Sequence, residues 1–174
     1  MADILLIAAG GTIAAEPYGD TPDYVTVKDN VRVVDAVMRV SGGHHVSVDD
    51  FAIKDSKDIT AQDIAVIARR IAEAPQQHII ITHGTDAMPQ NARALKAELA
   101  AHFPEALRQK TVVITGAMEP LSHGDSSDGF RNLTDAVEVA LHNARPGVSV
   151  VMHRQVFDPD RVAKDFEKKA LYER

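Results

Sequence analysis

Short apolar runs separated by helix-length amphipathic stretches set the strongest limit on what this chain can fold into. Ile4-Leu5-Leu6-Ile7-Ala8, His78–Thr82, Thr111–Thr115 and residues 148–153 are almost wholly apolar, as parallel strands covered on both faces are. Residues 45–53 add one more strand. Between the runs lie helical patterns. Asp29 is placed to cap a helix carrying Val31, Val34, Val37 and Met38 on one side. Thr60 and Asp63 form an acidic capping box ahead of Ile64, Ile67, Ala68 and Ile71. A third helix runs through Ala92, Leu95 and Leu99, with Pro89 tolerable in its first turn. A fourth runs through Phe130, Leu133, Val137, Ala140 and Leu141, before the turn signal Pro146-Gly147. The alternation predicts an α/β fold: a single doubly wound, mainly parallel sheet with right-handed crossovers and helices on both faces.

Two stretches leave this rhythm. Residues 15–27 hold Pro17, Tyr18, Gly19, Pro22 and Tyr24, and read as a mobile loop or hairpin of the length that is usually functional. The charged stretch 154–174 reads as a solvated terminal helix through Val162, Phe166 and Ala170.

At 174 residues and 45% hydrophobic content the chain holds one domain with a real core, built from aliphatic side chains because aromatics are only 5%. A net charge of −6 argues against a nucleic-acid footprint and lends no support to an anionic membrane partner. Cysteine is absent, which excludes thiol catalysis, disulfides and thiolate metal sites. The acidic start Met1-Ala2-Asp3 and the short apolar run behind it match neither a signal peptide nor a membrane span, so a cytoplasmic protein is expected.

Ligands of open α/β sheets bind at the carboxyl edge of the strands. Two motifs fall there: Gly10-Gly11-Thr12-Ile13-Ala14 after the first strand, and Thr82-His83-Gly84-Thr85-Asp86-Ala87-Met88 after another. The glycines permit tight turning and exposed amides. This is not the dinucleotide fingerprint, since Ile13 stands at the third glycine position. Thr85 or Asp86 alone would suit a helix cap. Used as a nucleophile, a threonine hydroxyl needs a base, and a desolvated lysine can serve. Lys164 lies beyond the last of the core strands.

With these stretches, Asp55-Ser56-Lys57-Asp58, Thr115-Gly116-Ala117-Met118 and Asp158-Pro159-Asp160-Arg161-Val162-Ala163-Lys164 complete a resemblance to the bacterial-type L-asparaginases. The stretches span nearly the whole chain in the family's order. The resemblance implies cofactor-free hydrolysis of L-asparagine to aspartate and ammonia, with no metal. It matches Thr12 to the nucleophile, and Thr85, Asp86 and Lys164 to a second constellation in which lysine activates the Thr85 hydroxyl or a water. Asp86 also matches the carboxylate that meets the substrate's α-ammonium, and Ser56 the hydroxyl that holds its α-carboxylate. The backbone of Gly84 and Ala117, around Thr85, would supply oxyanion contacts. Tyr24 fits the tyrosine that works beside Thr12 best, and Tyr18 is the second choice. A homo-oligomer, dimer or tetramer, is implied.

Two departures stand out. Lys57 replaces a common glutamine, where a cation would either strengthen carboxylate binding or repel the substrate ammonium. Full-length relatives also carry a second, C-terminal α/β domain. Residues 1–174 are therefore expected to form a single N-terminal-type catalytic domain, a short-chain member of the family.

Other classes are weaker. His83, His123 and His153 fall near one edge, yet as isolated singles they make a poor zinc set; His83 reads better as a residue that orients the Thr85 loop by hydrogen bonds. Residues 121–130 lack the terminal bidentate glutamate of a calcium loop, and Asp128 reads as a helix cap. An ammonia-producing module of an amidotransferase complex, or a non-catalytic amino-acid-binding domain, are the alternatives to an asparaginase. Asparagine and glutamine differ by one methylene, too little for the sequence to separate them.

Overall fold

Burial on both faces of a parallel sheet explains why the apolar runs are continuous. The computed structural model describes residues 1–17, 24–142 and 145–174. In chain order it holds β1 (Asp3–Gly10), a hairpin of β2 (Ala15–Pro17) and β3 (Tyr24–Val27), α1 (Val31–Val40) and β4 (His45–Lys54). Then come α2 (Ala61–Glu73), β5 (His78–Thr82), α3 (Met88–His102), α4 (Pro104–Gln109), β6 (Thr111–Thr115) and α5 (Gly129–His142). The chain ends with β7 (Gly147–Met152), β8 (Gln155–Phe157), β9 (Val162–Asp165) and β10 (Ala170–Glu173).

The main sheet has the order β4-β1-β5-β6-β7-β8, parallel except for the edge strand β8. Alternate residues of each strand enter opposite cores. Leu5, Ile7, Ile79 and Ile81 pack with Ile64, Ile67 and Ile71 of α2 and with Leu95 and Leu99 of α3. Ile4, Leu6, Ile80 and Val113 pack with Val33 and Val37 of α1 and Leu133 and Val137 of α5. Each such side chain contributes roughly 1.5–3 kcal/mol when fully buried. The expected doubly wound α/β fold with helices on both faces is what forms.

Ala8, Thr82 and Thr115 lie in one register across β1, β5 and β6. The loops that follow these three strands therefore leave the sheet side by side. The chain passes from β1 to β4 on one side and returns to β5 on the other, which makes β1 and β5 the point where strand order reverses. A crevice opens at such a point.

Four expectations are corrected. The stretch after β8 is not a helix but the antiparallel hairpin β9–β10. Val162 and Leu171 are buried against the α2–α3 core, and Asp165 closes the turn by accepting the Glu167 and Lys168 N–H groups. The buried face of α1 is Val33, Ala36 and Val37, whereas Val31 and Met38 are exposed. Asp29 accepts the Val31 N–H, but the N-cap position belongs to Asn30. Asp128 does not cap α5 with its side chain; Ser127 Oγ takes the Gly129 N–H, and Asp128 reaches elsewhere. The capping box of Thr60 and Asp63 is present as expected.

Candidate active site

The candidate site is built by close approach of three backbones. Gly10 and Gly11 have φ of 78° and 83°, in the left-handed region that L side chains rarely adopt. Gly11 N–H donates to Lys54 O at 3.0 Å, tying the end of β1 to the end of β4. A Cβ at Gly11 would lie 2.2 Å from Gly84 N, and one at Gly84 would lie 2.8 Å from Ser56 Cβ. Only glycine lets the Thr12 turn, the Thr85 loop and the Ser56 turn touch in this way. Gly116 repeats the device after β6, since its Cβ would meet His83 O at 2.3 Å.

Thr12 opens a short 3-10 turn and is half-buried. Thr85 is buried, 4% exposed. Lys164 comes from β9, 79 residues further along, and its Nζ donates to Thr85 Oγ1 at 2.8 Å and to Asp86 Oδ1 at 2.5 Å. Its side chain is only 8% exposed, while that of Asp86 is 38% exposed. The hydrogen bond from Lys164 is the main reason the Asp86 carboxyl sits below the usual range; Lys57, 3.4 Å from Oδ2, adds to it. Asp86 thus lies between two cations. The contact between a hydroxyl and an amine is what proton removal from Thr85 needs.

Ser56 is buried and accepts the Ala87 N–H at 3.1 Å. Ala117 is fully buried in the core below the β6 loop. Tyr24 begins β3, whereas Tyr18 lies outside the described residues. The structure therefore gathers Thr12, Ser56, Lys57, Gly84, Thr85, Asp86, Ala117 and Lys164 on the strand ends and adjoining turns of one sheet edge.

His83 is enclosed rather than exposed to a ligand. Its Nδ1 meets Gly84 O at 2.6 Å, and Asn91 Nδ2 lies 3.1 Å from Nε2. Burial pushes the imidazole below its usual range, and the partners fit a neutral ring with its proton on Nδ1. Among the described residues no group of three or more acidic, histidine or cysteine side chains is placed to hold a metal.

Three supporting residues carried no sequence signal. Asn91, one turn into α3, also donates to Ser56 O at 3.0 Å, so one amide links the Ser56 turn to His83. Arg93 Nη1 donates to Pro159 O at 3.1 Å and Val162 O at 3.0 Å, fastening the approach to β9 onto α3. Phe166 lies under the lysine, with Lys164 Nζ 5.1 Å from its ring centroid. Asn91 and Arg93 depend on long-range contacts, whereas Phe166 follows Lys164 by two residues in the hairpin that replaces the expected helix.

The family model "Asparaginase, N-terminal" matches residues 3–170. The chain is 30% identical over 171 residues to a glutaminase-asparaginase of Acinetobacter glutaminasificans, covering 93% of this chain and 49% of that one. Over 158 residues it is 28% identical to a glutamyl-tRNA(Gln) amidotransferase component from Aeropyrum pernix, covering 89% and 36%. The crystal structure of a probable cytoplasmic L-asparaginase from Campylobacter jejuni superimposes with a TM-score of 0.81 at 26% identity, over 99% of this chain and 53% of that one. The chain thus spans about half the length of the curated relatives it matches, or less.

Proposed function

The chain belongs to the asparaginase family, and we propose that it hydrolyses the side-chain amide of L-asparagine to L-aspartate and ammonia. One observation carries the reading: Lys164 shared between Thr85 Oγ1 and Asp86, across a glycine contact from the Thr12 turn.

In this reading Thr12 Oγ1 attacks the amide carbonyl and gives up its proton, with Tyr24 or Tyr18 as its partner. The tetrahedral oxyanion is met by backbone N–H groups near Gly84 and Ala117, an interaction worth about 3–4 kcal/mol per donor. Collapse expels ammonia with one added proton and leaves an ester on Thr12. A water activated at Thr85 and Lys164 then cleaves the ester, releasing aspartate and restoring the hydroxyl. Asp86 takes the substrate's α-ammonium. Ser56 takes the carboxylate, while Lys57, paired with Asp86, competes with the substrate ammonium. No cofactor is needed for either half-reaction. A homo-oligomer and a cytoplasmic location complete the proposal. No helix among the described residues is long and apolar enough to cross a membrane.

A second reading is supported by the amidotransferase relative: the same hydrolytic step supplying ammonia to a partner. The test is ammonia release from asparagine by the purified protein and by Thr12→Ala. The asparaginase reading expects turnover by the protein alone and a loss of roughly three orders of magnitude in the variant, as removal of an essential group causes. A folded Thr12→Ala protein with near-normal turnover would remove Thr12 from the mechanism. Turnover that requires an added partner would favour the second reading.

A further inference from the structure

The loop from Gly116 to Glu119 presses on the site, because Gly116 lies against His83 O and Thr85 Cγ2. Residues around the start of α5 hold its backbone at several points. Asp128 Oδ1 accepts the Met118 N–H at 3.0 Å and the Glu119 N–H at 2.9 Å. Asn132, fully buried, donates from Nδ2 to Gly116 O at 3.0 Å and to Asp128 Oδ2 at 2.9 Å. Ser127 Oγ donates to Glu119 O at 2.8 Å.

A histidine from another strand completes this ring. His153 Nε2 lies 2.8 Å from Asp128 Oδ2, and its backbone N–H donates to Asn132 Oδ1 at 2.9 Å. His153 and Arg154 form the turn between β7 and β8 with φ of 50° and 64°. Glycine and asparagine are the residues that normally fill such turns. A histidine held there, with its ring on a half-buried carboxylate, is fixed by that contact rather than by turn preference.

We propose that Asp128 and His153 form a protonation-dependent clamp that positions the Gly116–Glu119 backbone beside Thr85. Both are positioning residues, and their effect on turnover rests on the asparaginase reading. With its proton, His153 gives Asp128 a hydrogen bond in which both partners are ionised, the shorter and stronger kind. Without it, the ring either donates as a neutral group or turns an acceptor nitrogen toward the carboxylate.

Charged groups among the described residues surround the pair. Glu119, on the clamped loop, faces His123 at 3.4 Å and Lys169 at 4.0 Å. Arg131 of α5 is engaged by Asp135 at 3.2 Å, and Arg154 follows His153 in the turn. Asp128 is the carboxylate in direct contact with the ring. Its hydrogen bond raises the imidazole above the usual histidine range against the opposing effect of burial. Burial pushes the Asp128 carboxyl up, but the bonds from His153, the Glu119 and Met118 amides and Asn132 together hold it below the usual range.

The two titrations act in opposite directions. The histidine's contribution is fully present below its unfolded pKa and is lost as pH rises through the raised folded value. The carboxylate's contribution is present above its unfolded pKa and is lost on acidification through the lowered one. The clamp is strongest between the two ranges.

Three measurements on the full chain test this: NMR titration of the His153 ring, melting temperature from about pH 6 to 9, which brackets histidine titration, and asparagine kcat over the same range. His153→Gln keeps a donor and loses the titration, while Asp128→Asn keeps the shape and loses the charge. The clamp predicts that Asp128→Asn brings the His153 titration down to the ordinary range. It predicts that melting temperature falls through the raised histidine range in the unaltered protein and not in His153→Gln. It predicts an alkaline fall in kcat of about tenfold, equal to about 1.4 kcal/mol, that His153→Gln removes. If Asp128→Asn fails to fold, the His153→Gln comparison decides alone. An unmoved His153 titration in folded Asp128→Asn, or an alkaline loss that persists in His153→Gln, would overturn the clamp. Absence of ammonia release with the titration and melting results intact would count against the asparaginase reading and leave the clamp standing.

Discussion

At the scale of single residues, Lys57 is where this site departs furthest from the pattern it resembles. Its ammonium lies 3.4 Å from Asp86 Oδ2 while Lys164 holds Oδ1, so under the proposed function a substrate ammonium would compete for the same carboxylate. Lys57 is 66% exposed, and an exposed pair of this kind is worth only about 0–1 kcal/mol. Lys57→Gln should therefore lower KM for asparagine by a modest factor, about threefold to fivefold, with kcat little changed. Steady-state kinetics on the two proteins measure it, and a raised KM would mean that Lys57 holds the substrate carboxylate instead. Thr12 and Thr85 could be named from the sequence because each sits in a short motif at a strand end, and Ser56, Lys57, Ala117 and Lys164 because their stretches resemble those of the asparaginases. Their partners could not. Asn91 and Asn132 are ordinary helix asparagines in the sequence, and only the fold brings one to Ser56 and His83 and the other to Gly116 and His153.

Among the elements, the hairpin β9–β10 delivers Lys164, and α3 delivers the hairpin. Arg93 holds the carbonyls of Pro159 and Val162, while Lys96 pairs with Asp158 at 2.9 Å and Asp160 at 2.7 Å. The Lys96 pairs are exposed and contribute little. Hydrogen bonds to a charged donor contribute about 1.5–3 kcal/mol, so Arg93 is the stronger fastener. Arg93→Met should lower unfolding free energy by about 1–3 kcal/mol and reduce kcat more than it changes KM, since Lys164 loses its fixed approach to Thr85. Denaturant melts and kinetics check this, and unaltered kcat would show that the hairpin holds its place without α3. This hairpin was also the element least visible in advance. Val162, Phe166 and Ala170 share a helical spacing, and two four-residue strands are too short for alternation to outweigh it. What decides is burial of Val162 and Leu171 against distant helices. Helix α1 shows a related ambiguity: valines at 31, 33, 34, 37 and 40 supply two overlapping apolar stripes, and the sheet selects the one through Val33 and Val37. The inner parallel strands β1, β5, β6 and β7 were legible because burial on both faces left their middles apolar.

For the molecule as a whole, the sheet places the candidate site where its strand order reverses. The loops after β1 and β5 emerge side by side, and glycines at 11 and 84 let their backbones touch. The turn after β4 and the hairpin beyond β8 bring Ser56 and Lys164 to the same edge. The central claim is that Thr85 and Lys164, far apart in the chain, act as one unit in an amidase site. A double-mutant cycle on ammonia release from asparagine tests it most directly, with Thr85→Val, Lys164→Met and the double variant. Groups that act together lose most activity on the first change and little on the second. The site predicts that each single change abolishes most turnover and that the double variant is within a few-fold of the worse single one. Fully multiplicative losses, or a single variant that keeps normal turnover while folded, would contradict it.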